Sequence, residues 1–581
     1  MDIYEPLSRY RDEFREKFAT LCTQTFQELF EKSGVDEKEN QLLVRKIDHL
    51  KQQRNAAESK RSFYKFMIFL MILFFFGGLA LAVYYILEGT GKQEQQYCII
   101  GGFIAALVAA LLFFCKFLPA VRSASARIEM LNKEIQENIS LAWEQMKPLN
   151  RLFSWRTTVS MIEKCIPGIF FDHSLTENRL YDLIQTYGWD NTYNDDKSVV
   201  FSHSGTINGN PFVFAKLRYF EWIMKTYTGT KRIHWTTRER DSDGKVRTVH
   251  HSETLVATVE KTYPMFLEDK MLIYGNEAAP SLTFSREPSD LSNSGKGFFA
   301  SIKRWSRLRK LKKFARNLDD ESQFTMMSNE NFELLFHAID RNDEVEFRLL
   351  FTPLAQLQMV KLLEDEKVGY GDDFTFRKLE KINVIHAQHL NETDFNTAPD
   401  QFCHYDLAYC KKHFMEFNNE FFKSIYFSLA PLLTVPLYQQ PRSVPVAENT
   451  ATDKRASFWE YEALANYYGS EYFQHTECVT QNILKTKRIN EPDDSTVSVA
   501  VTAHGFRSEE HFDVVPVYGG DGRFHDVVVP WDKYIAVART RMMNVAEFSG
   551  ENEPDPDLLE AFRQQTDSVR RNTLLAYLDP E

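Results

Sequence analysis

The most concentrated chemistry in the sequence lies in a basic segment, GFFASIKRWSRLRKLKKFARNL, which covers residues 297–318. Eight of its 22 residues are Lys or Arg. On a helical wheel most apolar side chains share one arc and most basic ones share the other, although Phe314 departs from the pattern. A basic amphipathic helix of this kind can bind anionic lipid or an acidic partner. We predict such contact for Lys303, Arg304, Trp305, Arg307, Arg309, Lys310, Lys312, Lys313 and Arg316.

Other interpretations of the basic segment stay open. It could be a helix packed on a sheet with a solvated basic face, or a basic loop docked on the protein's own acidic surface. It could also be a site for a nucleic acid. The formal net charge of −12 argues against nucleic-acid binding through the whole surface, and we predict no nucleic-acid partner.

A second group of residues has side chains of the types that bind metals. Its members are His386, His389, Cys403, His404, Asp406, Cys410 and His413. Their spacing matches no closed zinc site, and such residues often serve in packing or hydrogen bonding instead. We therefore predict no metal and no other cofactor.

A third group is a set of histidines on a charged hairpin, whose strands flank the turn residues 241–244. A four-residue loop would place His234 opposite His251. A two-residue loop would place His251 opposite Thr236 instead. The register stays open, and we expect an exposed cross-strand pair rather than a reactive site.

Several motifs that mark common active sites are missing from the sequence. It contains no GxxxxGK[ST] loop, no GxGxxG after a strand, no HExxH and no GxSxG. Residues 519–522, Gly-Gly-Asp-Gly, lie between two strand-like runs and predict a hairpin turn rather than a phosphate-binding loop. We assign no catalytic residue, and an enzyme with an unrecognised site remains the main alternative function.

Two apolar segments near the N-terminus predict transmembrane helices. Residues 66–87 contain no charged side chain, and residues 97–115 are equally apolar. At about 1.5 Å of rise per residue, each is long enough for a hydrocarbon layer of roughly 30 Å. Two buried helices of a soluble protein would be the alternative.

The charges around these segments predict their orientation. Residues 88–96, which join the spans, contain one basic residue, Lys92, whereas both outer flanks are rich in Lys and Arg. The positive-inside rule then places both termini in the cytoplasm of a multi-pass protein with two spans. Neither span contains an ionisable residue, so a transporter or channel subunit would require oligomerisation.

The remaining chain divides by composition. We predict a cytoplasmic helical arm (1–62), a transmembrane hairpin (63–121), a helical connector (122–152), an α+β soluble domain with a mostly antiparallel sheet (153–440), a linker (441–457), a second α+β module (458–550) and an acidic C-terminal helical tail (551–581). The two helical segments beside the membrane could pair, or could be ordinary connectors.

Local patterns predict individual elements of the soluble region. Asn208 and Gly209 indicate a hairpin turn, and residues 331–338 and 353–364 look helical. The stretch EVEFRLLFT (344–352) looks like a strand, 458–486 like helix, and 496–540 like strands. Residues 421–438 are apolar but are interrupted by Lys423 and two prolines, so we predict a buried or interfacial segment rather than a third span.

Three stretches resemble a family of uncharacterised bacterial membrane proteins that share a conserved domain of unknown function. They are CIPGIFFDHS (165–174), GTINGNPFVFA (205–215) and NFELLFHAIDRNDEVEFRLLFTP (331–353). The resemblance implies paired N-terminal spans followed by a soluble domain, and it implies no enzymatic activity. The chain after about residue 440 is not covered by it.

Composition agrees with a packed protein in a reducing compartment. The chain is 43% hydrophobic, and its seven cysteines show no disulfide pattern. We predict a membrane-tethered cytoplasmic binding or scaffolding protein that engages another protein and touches anionic lipid through its basic segment. Homo-oligomerisation stays open.

Overall fold

The structure, a computed structural model, describes residues 3–88, 93–240, 245–289, 291, 298–316, 324–365, 367–442, 455–489, 496–548 and 568–578. The chain forms two compact units. The first contains Met1–Thr23, Trp155–Ala398 and Glu416–Glu581, and the second contains Gln24–Ser154 and Pro399–Met415. The residues of the predicted arm, 1–62, are therefore divided between the units, and both predicted α+β segments belong to the first.

The elements are numbered in chain order. The helices are α1 (Pro6–Arg9), α2 (Arg15–Ser33), α3 (Glu37–Glu88), α4 (Gln93–Leu112), α5 (Leu118–Asn150), α6 (Thr157–Cys165), α7 (Glu177–Gln185), α8 (Phe298–Arg316), α9 (Glu330–Phe336), α10 (Glu344–Leu350), α11 (Pro353–Leu363), α12 (Leu407–Leu433) and α13 (Phe458–Tyr468). The strands are β1 (Ile169–Phe171), β2 (Ser198–Ile207), β3 (Asn210–Arg240), β4 (Val246–Gly275), β5 (Thr283–Arg286), β6 (Phe374–Leu379), β7 (Ile382–Ala387), β8 (Ile483–Arg488), β9 (Thr496–Tyr518), β10 (Phe524–Glu547), β11 (Ser568–Arg571) and β12 (Leu574–Tyr577).

The second unit is built around long helices. Helix α4 continues through a π-helical turn, Phe113–Phe117, into α5, which packs along α3. Leu50, Leu131 and Ile135 form a buried cluster between these helices, so the two membrane-flanking segments do pair. Two helical stretches, Glu37–Leu87 and Gln96–Asn150, are long and apolar enough to cross a membrane, as the sequence predicts.

The apolar helices α3 and α4 approach closely at a pair of glycines. A Cβ atom at Gly78 would lie 2.7 Å from the carbonyl oxygen of Gly102, and a Cβ at Gly102 would meet the Gly78 carbonyl equally closely. Small residues allow such backbone contact between apolar helices, where side-chain hydrophobicity alone gives little drive to associate in lipid. The hairpin is therefore closed by contact between the two glycines.

The first unit contains a seven-stranded antiparallel sheet, in the order β1-β2-β3-β4-β7-β6-β5. Its β2–β3 hairpin turns at Asn208 (φ 48°) and Gly209 (φ 85°), where two consecutive positive φ angles need these residue types. This turn confirms the sequence prediction. Helix α7 and helix α13 cover one face of the sheet, and Trp459 and Leu183 are buried there with Val213.

A five-stranded antiparallel sheet, in the order β11-β12-β10-β9-β8, lies in the same unit. Residues of α13, among them Tyr461 and Leu464, are buried with Leu484, Val501 and Val545 of this sheet. The mostly antiparallel α+β architecture predicted from the sequence is thus observed. The turn between β9 and β10 falls at residues 519–523, as predicted.

Three element predictions were wrong. Residues 344–350 form helix α10 rather than a strand, because Asp343 caps the backbone N–H groups of Val345 and Glu346 while Phe347 is buried on one helical face. In the predicted helical stretch 458–486, only the first part is helical and the end belongs to β8. In the predicted helical tail, 568–577 form a hairpin that adds to the five-stranded sheet. Residues 443–454 and 551–567 lie outside the described part of the chain.

The apolar segment 421–438 is buried, which is one of the two predicted alternatives, buried or interfacial. Most of it belongs to α12, and Phe421, Phe422, Tyr426 and Leu429 are almost fully inaccessible. Phe422 stacks on Phe18 with ring centroids 4.0 Å apart. The apolar side chains of this segment therefore pack inside the first unit.

Candidate functional site

The most distinctive feature of the first unit is an arm made from two long β-ribbons. Strands β3 and β4 pair from Phe212↔Tyr274 to Arg240↔Val246, and strands β9 and β10 pair from Thr496↔Ala546 to Tyr518↔Phe524. We define the arm as residues 221–240, 246–265, 507–518 and 524–535, where no other strand joins either ribbon. At about 3.3 Å per residue, the β3–β4 part is roughly 65 Å long.

The two ribbons of the arm stack face to face. Ile233, Leu255, Ala257, Val527 and Val529 form a buried cluster between them. A Cβ atom at position 229 would overlap the Val528 carbonyl group, so only glycine lets the two backbones come this close. The stacking makes the arm a two-layered structure, whereas a lone two-stranded ribbon would be marginally stable.

Polar contacts also join the ribbons at several points along the arm. Lys261 forms an ion pair with Asp513 at 2.7 Å, lies 4.4 Å from the Trp531 ring centroid, and the Trp531 indole donates a 2.9 Å hydrogen bond to Asp513. Hydrogen bonds from Lys261 and Trp531 hold the pKa of Asp513 below its ordinary value. Near the tip, the Gly520 N–H donates a 2.7 Å hydrogen bond to Glu253.

The outward side of the β9–β10 ribbon carries an unusual concentration of exposed apolar residues, which we call the apolar face. The exposed fractions are 63% for Phe512, 59% for Val514, 62% for Tyr518, 71% for Phe524 and 51% for Val528. Pro516 and Pro530 are exposed between them. A contiguous aromatic and aliphatic surface of this kind marks an interaction site.

The outward side of the β3–β4 ribbon is different in character, and we call it the basic face. The exposed side chains that alternate along it are Thr228, Thr230, Arg232, His234, Thr236, Arg238, His250, Ser252, Thr254, Val256 and Thr258. None of these residues is acidic, and the next outward position toward the base of the arm is Glu260. The arm therefore has two outer surfaces of unlike chemistry.

The histidines of this hairpin lie in a register that neither predicted alternative anticipated. Trp235, not His234 or Thr236, is opposite His251, and His234 is opposite Ser252. The reason is that the loop between the last paired residues, Arg240 and Val246, contains five residues. The Trp235 and His251 rings stack with centroids 5.2 Å apart, and Thr237 Oγ1 lies 2.7 Å from His251 Nε2.

The predicted lipid-contact residues lie on α8, but they do not all face outward. Leu311 is buried, Arg304 forms an ion pair with Glu364 at 2.9 Å, and Lys312 forms one with Glu330 at 2.5 Å. Arg307 is half-buried, and the side chain of Arg316 lies outside the described part. These contacts agree with the alternative in which basic residues dock on the protein's own acidic groups.

The rest of the predicted set forms an exposed basic surface on α8, the outward α8 face. It consists of Lys303, Trp305, Arg309, Lys310 and Lys313. Trp305 is 62% exposed, and the Arg309 guanidinium lies 5.5 Å from its ring centroid. A solvent-facing indole beside exposed cations is typical of a surface that meets lipid headgroups.

The candidate metal ligands are not brought together. His386 and His389 belong to the first unit, whereas Cys403, His404, Asp406, Cys410 and His413 belong to the second. His386 Nδ1 lies 3.1 Å from an Asp269 oxygen. Among the residues that the structure describes, no group of three or more His, Cys, Asp or Glu side chains could hold a metal ion.

His389 instead belongs to an arrangement that sequence spacing does not predict. Its Nδ1 lies 2.5 Å from Asp373 Oδ2, and its Nε2 lies 2.9 Å from Ser428 Oγ. The order of contacts matches a Ser-His-Asp triad, but Ser428 is fully buried and its hydroxyl donates to the Ser424 carbonyl. Tyr370 covers the imidazole, with ring centroids 3.9 Å apart. The arrangement holds α12 to the segments around Asp373 and His389.

A groove of about 390 Å³ lies at the base of the arm and is lined in part by Lys485, His504 and Phe506. The Lys485 ammonium is already engaged, since it lies 2.7 Å from Glu462 and donates to two backbone carbonyl groups. Burial raises the pKa of Glu462 to about 7 despite this neighbour. The lysine therefore serves the fold, and the arm and α8 offer the stronger candidate sites.

No protein-family model, curated protein or solved structure matches this chain. The resemblance to a family of uncharacterised bacterial membrane proteins therefore stays a prediction. Two of its three stretches have clear structural roles: the second forms the β2–β3 turn, and in the third the buried Arg341 contacts Glu333 at 2.8 Å and Glu344 at 2.6 Å.

Proposed function

We propose that this chain is a membrane-tethered cytoplasmic binding protein whose arm engages another protein. One observation carries the proposal: the apolar face, which is held outward by a rigid two-layered arm. Large aromatic residues exposed on a preorganised surface provide binding energy at little entropic cost, as at protein interfaces generally. Without a partner, the same exposed residues would promote aggregation, so a covering partner is the favoured explanation for them.

Membrane tethering is supported by the two long apolar helices and their basic flanks. Residues exposed along the hairpin, such as Phe69, Phe74, Leu107 and Leu111, would be costly in water and favourable in hydrocarbon. The charge distribution supports a cytoplasmic location for both termini.

Contact with anionic lipid through the outward α8 face is the second part of the proposal. Its four cations, Lys303, Arg309, Lys310 and Lys313, are not among those paired with Glu364 or Glu330. Each basic residue near an anionic leaflet contributes on the order of 1 kcal/mol. The Trp305 indole adds an interfacial anchor.

An enzyme is less well supported by the geometry. Ser428 has the partners of a nucleophile but is covered by protein, and a reacting carbonyl would have no access to its oxygen. The membrane segments contain no ionisable side chain for an ion path, which gives a transporter equally little support.

The test is in-cell photo-crosslinking from the arm of the full chain. A photoreactive amino acid at position 512 or 528 should give a covalent adduct with a protein, whereas one at Thr540, exposed on the same ribbon near its base, should give none. Replacing Phe512 and Phe524 with Ser should abolish the adduct formed from position 528. Equal adducts from all three positions, or none at any, would refute an interaction through the apolar face.

A further inference from the structure

We infer that the protein bound by the arm is a second copy of this chain, with the apolar face of one arm stacked on the basic face of the next. The inference rests on the proposed function, since it names the partner of the same surface.

The first argument is the pattern of the β9–β10 ribbon itself. Its inward positions, such as Val515, Val527 and Val529, are covered by the β3–β4 ribbon, and its outward positions are just as apolar. Strands that are apolar on both sides are typical of sheets covered on both faces. The structure supplies one covering layer, which is itself a β-ribbon, and the uncovered side fits a second layer of the same kind.

The second argument is charge complementarity. The outward positions of β9 and β10 between 508–518 and 524–532 include three acidic residues, Glu510, Asp526 and Asp532, and no basic one. The basic face holds Arg232, Arg238 and two histidines, and the nearest acidic residue on the same side is Glu260, opposite Thr226 toward the base of the arm. Within the described part of the chain, neither Arg232 nor Arg238 forms an ion pair or a hydrogen bond. Thr methyl groups and Val256 supply apolar contact area on the same face. The two outer faces are therefore complementary to each other, while neither is complementary to itself in charge.

Such a contact is heterologous, because it joins two different surfaces of the same chain. Heterologous contacts that do not close into a ring continue into open arrays. Tethering of every copy to one membrane would raise the effective concentration of arms and would favour the array over free monomers. The expected assembly therefore grows with the amount of protein in the membrane.

Cysteine crosslinking of the full-length protein in membranes tests the geometry. Chains carrying Val514→Cys on the apolar face and chains with a different tag carrying Thr230→Cys on the basic face should crosslink to each other when co-expressed. Neither variant should crosslink to itself above the level set by the seven native cysteines in the unchanged chain. Crosslinking of Val514→Cys to itself would overturn the heterologous contact in favour of a symmetric dimer.

A charge exchange provides a second measurement that misfolding cannot imitate. Asp526→Arg or Arg232→Glu alone should weaken self-association by at least about tenfold, since each places like charges together. The double variant should restore it. If neither single variant changes the assembly, the inference fails. If the chain is monomeric while position 512 still crosslinks to a different protein, the inference fails and the proposed function stands. A monomer that gives no adduct overturns both.

Discussion

Some buried residues of this protein form polar contacts that cannot be predicted from the adjacent sequence. Glu462 is fully buried on α13, where its Oε2 accepts a 3.0 Å hydrogen bond from the Val199 N–H and its Oε1 lies 2.7 Å from Lys485. Burial disfavours its ionised form more than the lysine favours it, so its pKa rises to about 7. A carboxyl group with an ordinary pKa in the unfolded chain then links stability to pH.

Glu462 should make the folded state lose stability as pH rises through its folded pKa. The folded protein retains a proton that the unfolded chain has released, so the stabilising effect is complete below the unfolded pKa and is lost near pH 7. From about pH 6 to about pH 8 we expect a loss of about 1 kcal/mol that is absent in Glu462→Gln. Thermal unfolding in detergent at several pH values measures it. Glu477→Gln, at an exposed glutamate, is the matched control and should retain the wild-type slope.

Gly229 is a second residue whose replacement should change the stability of the arm in a predictable direction. Valine normally stabilises a strand more than glycine does. At this position, however, the valine side chain would overlap the Val528 carbonyl group of the other ribbon. We expect Gly229→Val to destabilise the arm by about 1–3 kcal/mol or more. Hydrogen exchange of the β3–β4 amides should rise in this variant. Thr228→Val, whose side chain points outward, should leave exchange unchanged or slow it, and protection in both variants would contradict the stacking.

At the scale of elements, α8 and the arm show how one secondary structure can serve the fold on one side and an outside contact on the other. Leu311 and the ion pair of Arg304 hold the inner side of α8 against the first unit. The outer side carries four exposed cations, none of which forms an ion pair with a residue that the structure describes. The arm follows the same logic, because its inner surfaces stack and its outer surfaces stay exposed.

Helix α8 should be protected from hydrogen exchange when the full chain sits in nanodiscs of anionic lipid rather than of zwitterionic lipid. The physical cause is attraction of its four outward cations, and high salt should therefore remove the protection. Reversing the charges of Lys303, Arg309, Lys310 and Lys313 to Glu should also remove it. The same number of reversals at the exposed Lys225, Lys245, Arg247 and Lys533, which lie outside the basic face, is the control. Protection that is indifferent to lipid charge would exclude this role.

At the scale of the whole molecule, the chain combines a unit of long helices, two stretches of which can span a membrane, with a unit of two antiparallel sheets. Most apolar side chains of the two candidate spans are exposed, which fits the proposed membrane tethering. Orientation in the membrane is therefore the property to test first at this scale.

The positive-inside arrangement predicts that only the segment joining the spans lies outside the cytoplasm. In intact cells, a membrane-impermeant maleimide should label Lys92→Cys and should not label Glu58→Cys, which lies before the first span. Both should be labelled after the membrane is permeabilised. Labelling of Glu58→Cys in sealed cells would show that the flanks are external and would remove the basis for a cytoplasmic arm.

The features that the sequence predicted correctly depend on local physics. Hydrophobic runs of sufficient length indicate candidate spans, and the Asn208-Gly209 turn follows from the few residues that accept two positive φ angles. Residues 344–350 show the limit: their apolar pattern fits a strand or a helix, and the cap from Asp343 together with the burial of Phe347 decides for the helix.

Tertiary structure alone decided which surfaces remain for function. The residue types alone do not distinguish the inward Val527 from the outward Val528, or the ion-paired Arg304 from the exposed Arg309, because the difference lies in which distant element covers each side chain. The same holds for His389, whose contacts come from residues 16 and 39 positions away. The sequence by itself determined the candidate spans, the turns and the antiparallel α+β character. The stacking of two ribbons distant in sequence determined the arm, since non-local contacts depend on the whole fold and not on any one segment.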